Sequence, residues 1–354
     1  MVQQMGWTTS LRRHTGLGLG VGTSTCRVLI LLLSVSTLHA APYREREQPA
    51  HGKEEISLLH SDDADGLREF ARQALGDRFT DKFVWHPYSK MYSKYLAAHR
   101  HKPLKLLEIG IGHHARHIGA SARFWRAWMP QADIHVMEFS PSLIQSFVDE
   151  FPHVINCTYV GDQRDPVSLR RVIEQSGGGF DVIIDDGGHT MHMQINTAQV
   201  VLSSELALKP GGIYVAEDMD TALDQRVGMG GNYCGLWSAQ RLLTTTYGRK
   251  PPSSVRLCTN KSFTIARFMQ ELMEDQLYLS HGAQVKEPKR AAARCNAPRL
   301  SPSKKMKLLR SWLHHPQISP RVSSVDCMHE ACVVTRNVLD EWDYTWSMWK
   351  KSFT

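Results

Sequence analysis

Phe180-Asp-Val-Ile-Ile-Asp185-Asp186-Gly187-Gly188-His189 is the stretch of sequence that decides the fold. Its first five residues have the apolar content of a strand buried on both faces of a parallel sheet. About thirty residues later, Gly212-Ile-Tyr-Val-Ala runs into Glu217-Asp218 in the same way. If the two strands are neighbours, about 4.8 Å apart, their carboxyl ends bring several acidic oxygens and one imidazole to a single crevice.

A glycine turn follows an earlier strand, predicted for Leu104-Lys-Leu-Leu-Glu108-Ile. Gly110 and Gly112 have no Cβ atom, so the backbone of this turn can approach a ligand closely. Gly110-x-Gly112-x-x-Ala115 also satisfies a loose dinucleotide fingerprint, and glycines alone therefore do not decide between cofactors.

Two further strands are predicted to end at the same edge. Asp133-Ile-His-Val-Met ends on Glu138, whose carboxylate can accept both hydroxyls of a ribose. Residues 154–160 run into Gly161-Asp162-Gln163-Arg164-Asp165, a polar turn placed to meet a base or an amino acid moiety. Strands and helices alternate across the whole stretch, which predicts an α/β, Rossmann-like, doubly wound fold whose sheet is mainly parallel.

Three features beyond the glycines indicate a family. They are the acid Glu108 directly before the glycine turn, the Leu208-Lys-Pro-Gly-Gly212 turn that opens a strand, and the acid-tipped strands that follow. Together they resemble the class I S-adenosylmethionine-dependent methyltransferases. More narrowly, the chain resembles the magnesium-dependent macrolide-sugar O-methyltransferases of the macrocin and mycinamicin type and the related cephalosporin hydroxylase-like family.

The narrower resemblance covers roughly residues 76–222, with a weaker echo at 320–337. It includes Gly119-Ala-Ser121-Ala-Arg-Phe-Trp125 and Thr80-Asp-Lys-Phe-Val-Trp-His86-Pro-Tyr88. The chain departs from the family at the histidine-rich His113-His114-Ala-Arg-His117, interpreted as a polar loop rather than a metal cluster, and in a long segment after Asp220.

The predicted site has three parts. S-adenosylmethionine and Mg²⁺ are the expected cofactors, and an alcohol oxygen of a sugar or glycan is the expected methyl acceptor. Cofactor-binding residues are predicted at Glu108, Gly110, Gly112, Ser121, Glu138, Asp162 and Asp185. The acids predicted to hold the metal are Asp186, Glu217 and Asp218. The resemblance implies that His189 is the general base, and that residues 80–95, with His86, Tyr88 and Tyr92, fold over the cleft as a lid.

Each of these residues also has a plain structural interpretation. The three acids could be helix caps or strand-end turn residues, and His189 could satisfy its own loop. Two other functions stay open: a secreted non-catalytic binding protein on a methyltransferase fold, and a hydroxylase-like oxidoreductase of the same family.

Nucleic acid is not an expected partner, because the excess of 7 positive charges is concentrated in the amino-terminal segment and in 286–310.

The ends of the chain are predicted to lie outside the catalytic domain. Residues 1–41, with an apolar run after Arg27, indicate a secretory signal or signal anchor, and such an anchor is the only membrane contact expected. We expect a flexible stem at 42–65, a methyltransferase domain at 66–340 with an insertion at about 222–318, and an aromatic segment at 341–354 containing Trp342, Trp346 and Trp349. The expected location is the secretory pathway, either the Golgi lumen or outside the cell.

Cysteine usage supports this location, since six cysteines, an even set, lie outside the predicted signal. Residues 322–326 and 332–335 are predicted to form the antiparallel hairpin that commonly closes a methyltransferase sheet, so Cys327 and Cys332 are expected to face each other. Asn156 and Asn260 begin glycosylation sequons, although a glycan would fit poorly at Asn156, which is predicted to lie in a strand.

Overall fold

The computed structural model describes residues 24–26, 63–78, 80–112, 118–222, 264–282 and 313–338. Several predictions fall outside these ranges. They concern nearly all of the signal and stem, the histidines at 113, 114 and 117, the cysteines at 234, 258 and 295, Asn260, and the tryptophans at 342, 346 and 349.

In the part of the chain that the structure describes, eight strands form one sheet. They are β1 (Ser24–Cys26), β2 (Lys105–Ile109), β3 (Asp133–Glu138), β4 (Cys157–Val160), β5 (Phe180–Asp185), β6 (Leu208–Ala216), β7 (Val322–Met328) and β8 (Ala331–Arg336). Their spatial order is β1-β4-β3-β2-β5-β6-β8-β7. The five central strands are parallel, whereas β1, β8 and β7 are antiparallel to their neighbours. The prediction of a doubly wound, mainly parallel sheet with a carboxyl-terminal hairpin is confirmed.

Helices cover both faces of the sheet. They are α1 (Ala64–Leu75), α2 (Ser89–Leu96), α3 (Ala120–Trp128), α4 (Pro141–Glu150), α5 (Pro166–Gln175), α6 (Met191–Ser203) and α7 (Ile265–Gly282). Local sequence sets several of their starts. Asp63, Ser140, Asp165 and Thr190 each accept a backbone N–H in the first turn of the helix that follows. Proline occupies the first position of α4 and of α5, where its ring fixes φ close to the helical value.

Two apolar cores result from the alternation of side chains along the strands. Leu107, Ile109 and Ile183 lie on the face covered by α5, α6 and α7. Leu106 and Val182 lie on the other face, under an aromatic group from α2 and α3 that includes Trp125 and Trp128. The helix α7 belongs to the segment predicted as an insertion, yet its Phe268 and Leu272 are fully buried in the first core. At 265–282 the insertion is thus an integral part of the domain.

The amino-terminal segment departs from its prediction at one point. Residues 1–41 were expected to lie outside the fold, but Ser24–Cys26 forms the edge strand β1, antiparallel to β4. That expectation is wrong for these three residues, because the edge of a sheet offers unpaired backbone groups to any extended segment. Within the described residues, no helix combines the length and the apolar content needed to cross a membrane.

The predictions for the oxidised hairpin and for the sequon at Asn156 can be compared with the structure. Cys327 and Cys332 face each other across β7 and β8 and form a disulfide, as predicted. Cys157 is also disulfide-bonded. Asn156 lies just before β4, and its side-chain oxygen accepts hydrogen bonds from Arg126 (2.6 Å) and from the backbone of Ile134 (2.9 Å). A carboxamide held in this way is a poor glycan acceptor.

Candidate active site

A cavity of about 390 Å³ opens at the carboxyl ends of the parallel strands. Its volume lies within the range of small-molecule sites, roughly 300–1,000 Å³. Eight of the eleven residues predicted for the site line it: Gly110, Gly112, Ser121, Glu138, Asp162, Asp186, His189 and Asp218. The sheet therefore brings together most of the side chains that the sequence placed at strand ends, as a parallel α/β sheet requires.

The glycine turn after β2 is one wall of this cavity. Gly110 and Gly112 have φ values of 97° and 78°, which residues with a side chain rarely adopt. A Cβ atom on Gly110 would lie 2.1 Å from the carbonyl oxygen of Asp186. The backbone of Gly110 thus packs directly against the loop after β5. A glycine is needed here so that the ends of β2 and β5 can lie close together, and it also leaves room for a ligand.

Glu138 ends β3 and lines the cavity at the position predicted for a ribose-binding acid. Its carboxylate accepts hydrogen bonds from the backbone N–H groups of Ser140 (2.8 Å) and Ile111 (3.2 Å). These two bonds fix the orientation of the carboxylate before any ligand binds. Ser121, in the first turn of α3, lies nearby and is 9% exposed.

Asp162 lies on the opposite wall but is already paired. Its two oxygens accept bonds of 2.8 to 3.0 Å from the Arg164 guanidinium, which hold the pKa of this carboxyl below its ordinary value. The guanidinium in turn lies 5.0 Å from the centre of the Phe139 ring, which is 60% exposed. Sequence analysis overlooked this flat wall, although an aromatic residue directly after the acid that ends a strand is a recognisable signal.

Asp185 and Glu108 were predicted to bind the cofactor, and the structure places both beneath the cavity. Asp185 is fully buried, where it accepts hydrogen bonds from Gln163 (2.6 Å) and Tyr214 (3.0 Å). Burial raises the pKa of Asp185 to about 6 in spite of these bonds. Glu108 is 1% exposed, and burial raises its pKa too. Both side chains are buried because helices cover both faces of the sheet, and their assignment to the cofactor stays a prediction.

Lys82 lies at the centre of the buried acids, a contact that sequence analysis did not predict. Its ammonium is 2.5 Å from Asp186 Oδ2 and 3.5 Å from Glu108 Oε1, and it donates directly to Glu217. Burial lowers the pKa of Lys82, but the adjoining carboxylates outweigh burial and raise it well above its ordinary value. Lys82 belongs to the Thr80–Tyr88 motif quoted above. The sequence signal for its role was the position of a lysine between a polar and an aromatic residue in that motif.

The predicted metal set is only partly assembled. Asp186, His189 and Asp218 each present one ligand atom, and these atoms lie within 4.8 Å of one another. Glu217 is not in this group, because its carboxylate faces Lys82 and the hydroxyl of Tyr92 instead. The burial of Glu217 raises its pKa well above the ordinary range, whereas Lys82 opposes that shift. In this arrangement two of the three predicted acids line the cavity and Glu217 does not, so a metal site built from all three acids stays a prediction.

His189 and Asp218 both have backbone conformations in the left-handed region, with φ near 50° and 51°. This conformation turns His189 Nε2 to 3.1 Å from Asp218 Oδ2 and 3.9 Å from Asp186 Oδ1. The other ring nitrogen, Nδ1, is buried and has no hydrogen-bond partner among the described residues. The imidazole can therefore exchange a proton with the cavity only through Nε2.

The segment predicted as a lid covers the acids, but it is part of the packed core. Tyr88 and Tyr92 are each 1% exposed, and their hydroxyls bond to Asp218 and Glu217. His86 stacks on Tyr88 with ring centres 5.2 Å apart, and its Nδ1 lies 2.6 Å from Glu330. Through the buried rings of Tyr88 and Tyr92 the segment packs against the sheet and forms a wall of the site.

The strand order and the acid-lined cavity agree with the Rossmann-like methyltransferase fold predicted from the motifs. The resemblance predicted from the motifs is confirmed, because curated relatives of this chain are sugar O-methyltransferases of the macrocin and mycinamicin type. No protein-family model matches the chain.

Two of these relatives are 34% identical to the chain. One is the 8-demethyl-8-(2-methoxy-alpha-L-rhamnosyl)-tetracenomycin-C 3'-O-methyltransferase of Streptomyces olivaceus, matched over 146 residues, which are 40% of this chain and 35% of that enzyme. The other is the mycinamicin VI 2''-O-methyltransferase of Micromonospora griseorubida, matched over 147 residues, which are 41% of this chain and 34% of that enzyme. The chain thus spans about a third of the length of the curated relatives that it matches.

A demethylmacrocin O-methyltransferase of Streptomyces fradiae is 32% identical over 139 residues, 39% of this chain and 33% of that enzyme. Among solved structures, the mycinamycin-pathway methyltransferase MycE in complex with Mg and SAH is 21% identical. It superposes with a TM-score of 0.48, covering 77% of this chain and 54% of that chain.

Proposed function

We propose that this protein is an S-adenosylmethionine-dependent, Mg²⁺-dependent O-methyltransferase acting on a hydroxyl of a sugar or glycan. The observation that carries this proposal is the charge of the site. Among the described residues, Glu108, Asp186 and Glu217 surround the buried ammonium of Lys82, and an oxygen of Asp218 lies within 4.8 Å of one of Asp186. Buried carboxylates without a counter-charge are costly, so this cluster favours a further cation beside Asp186 and Asp218.

The residues present fit both cofactors. Hard divalent cations prefer oxygen ligands, so we assign Asp186 and Asp218 to the ion and leave the imidazole of His189 for the proton. Glu138, held by two backbone N–H groups, is placed to accept the ribose hydroxyls, and Ser121 and the glycine turn complete that side of the cavity. When bound, S-adenosylmethionine supplies an electrophilic methyl group, and the metal ion lowers the pKa of an acceptor hydroxyl.

The chain itself then has to place the acceptor and remove its proton. Asp218 is fixed by Tyr88, which orients the carboxylate toward the cavity. His189 accepts the hydroxyl proton at Nε2, the one ring nitrogen that faces the acids. Phe139 and Arg164 form a flat wall that can stack on a planar group.

Methyl transfer is tested most simply with labelled S-adenosylmethionine and a panel of free sugars, glycosides and glycoproteins. Label should enter an alkali-stable ether in at least one acceptor, stop with excess EDTA and resume with Mg²⁺. Transfer at full rate in EDTA would remove the metal from the mechanism. Hydroxylated rather than methylated product would favour the oxidoreductase alternative.

We also propose that the enzyme works in the secretory pathway. The Cys327–Cys332 disulfide and the bonded state of Cys157 support this, because disulfides persist mainly in oxidising compartments. Mass spectrometry of an unreduced digest of the protein from its native cells should show the peptide pair joined through Cys327 and Cys332. Two free thiols there would contradict the oxidised compartment.

A further inference from the structure

Lys82 is almost completely buried, which is rare for a lysine unless its charge is paired. The whole residue is 1% exposed, and its ammonium touches carboxylates from three strand ends. These are Asp186 after β5, Glu217 after β6 and Glu108 within β2. One ammonium therefore ties together the glycine-turn half and the acid half of the site.

The backbone that carries Lys82 is itself fixed. The residue lies in a short 3-10 turn, Asp81–Phe83, and its own backbone N–H donates a hydrogen bond to the Thr80 hydroxyl (3.4 Å). The next side chain, Phe83, is anchored in the aromatic core, with ring centres 4.7 Å from Phe124 and 6.4 Å from Tyr92. Because the turn is capped and Phe83 is held, the backbone of Lys82 has a defined position independent of the acids.

The contacts of Lys82 divide the oxygens of the cluster. It bonds to Oδ2 of Asp186, which leaves Oδ1 directed to the side of His189. It bonds to one oxygen of Glu217, while the hydroxyl of Tyr92 bonds to the other. Lys82 thus determines which carboxylate oxygens face the cavity and which accept hydrogen bonds inside the protein.

We propose that Lys82 is a positioning residue of the metal centre, a permanent internal cation that holds Asp186 and Glu217 in place before a divalent cation binds. This inference rests on the proposed metal dependence of the enzyme. Its physical basis is that, without an ammonium between them, the Asp186 and Glu217 carboxylates would repel one another and their side chains would lose their present orientation.

The test compares Lys82→Met, which removes the charge at similar length, with Lys82→Arg, which keeps it. Lys105→Met is the matched control, because the Lys105 ammonium bonds to the backbone carbonyls of residues 176 and 178 and lies over the Phe180 ring, and it makes no ion pair with the site acids among the described residues. Melting temperatures are measured for each variant in EDTA and in Mn²⁺, and Mn²⁺ binding is followed by electron paramagnetic resonance.

In EDTA, Lys82→Met should melt about 10 °C below the wild type, as expected for loss of one partner of a buried ion pair. Mn²⁺ should restore most of that loss, since the divalent ion then supplies the missing charge. Lys82→Arg should respond to Mn²⁺ as the wild type does. Lys105→Met should show the same deficit with and without Mn²⁺.

Three results would overturn the inference about Lys82. They are an unchanged melting temperature of Lys82→Met in EDTA, a deficit that Mn²⁺ leaves untouched, and a Lys82→Met chain that stays insoluble even with Mn²⁺. Failure of the wild type itself to bind Mn²⁺ would instead contradict the proposed metal centre, and the role of Lys82 would fall with it. The wild-type resonance signal therefore separates the two failures.

Discussion

The Tyr88 hydroxyl donates a hydrogen bond to the Asp218 carboxylate over 2.5 Å and accepts one from the Asp218 backbone N–H over 2.9 Å. One phenol thus holds both the side chain and the backbone of a proposed metal ligand. This double contact explains how Asp218 keeps a left-handed backbone conformation at the edge of the cavity.

Tyr88→Phe should weaken Mn²⁺ binding by about 10-fold to 100-fold, because partners that orient a metal ligand typically contribute that much. Tyr95→Phe is the matched control, since the Tyr95 hydroxyl bonds to Asp326, a residue remote from the proposed ligands. Titration of each variant with Mn²⁺ measures the difference. Equal affinity of both variants would show that Tyr88 does not orient the ligand.

Glu138→Ala should weaken binding of S-adenosylhomocysteine by about 1–3 kcal/mol, since two ribose hydroxyls lose their acceptor. Glu150→Ala, which removes an exposed carboxylate at the end of α4, should leave the affinity unchanged. Calorimetry gives both values. An unaltered affinity of Glu138→Ala would place the ribose elsewhere in the cavity.

His189→Ala should lower kcat by about 10² to 10⁴, the usual contribution of a general base. Binding of S-adenosylhomocysteine should be nearly unchanged, because the imidazole faces the acids rather than the glycine turn. His192→Ala, on the exposed side of the first turn of α6, is the control. The assignment of the base would be wrong if kcat survived in His189→Ala, and loss of Mn²⁺ binding would make the imidazole a ligand instead.

His315 couples the stability of the carboxyl-terminal part to pH. Burial lowers the pKa of this histidine from 6.5, although Glu271 (3.0 Å) opposes the shift. A folded-state pKa below the unfolded value means that the unfolded chain binds the proton more readily, so stability falls as pH drops below about 6.5. His315→Gln should lose less free energy of unfolding than the wild type between pH 7 and pH 5. Urea titrations at both pH values measure this, and parallel losses in the two proteins would contradict it.

Sequence reasoning was most successful where one strand ends in a recognisable group. The carboxyl ends carrying Glu138, Asp186 and Asp218 were predicted because buried apolar runs and their terminal acids can be read locally. The hairpin with Cys327 opposite Cys332 followed from the same kind of pattern.

The sequence was least informative where packing between distant segments decides the environment of a residue. Glu108 and Asp185 look like ligand-binding acids in the sequence, but helices cover both faces of the sheet and bury their side chains. The contact of Lys82 with Asp186 joins residues 104 positions apart, and Tyr92 reaches Glu217 over 125 positions. No local pattern predicts such pairs, since they depend on how the segment at 80–96 docks against the completed sheet.

The central claim is that the cavity at the carboxyl edge holds S-adenosylmethionine beside a divalent cation. Calorimetric titration with S-adenosylhomocysteine, in Mg²⁺ and in EDTA, together with Mn²⁺ resonance of the wild type and of Asp218→Asn, tests it directly. We predict one nucleoside bound per chain with a dissociation constant of about 1–100 µM, in the range usual for enzyme ligands. We also predict one Mn²⁺ per chain that Asp218→Asn fails to retain. A folded wild-type protein that takes up neither ligand would contradict the account.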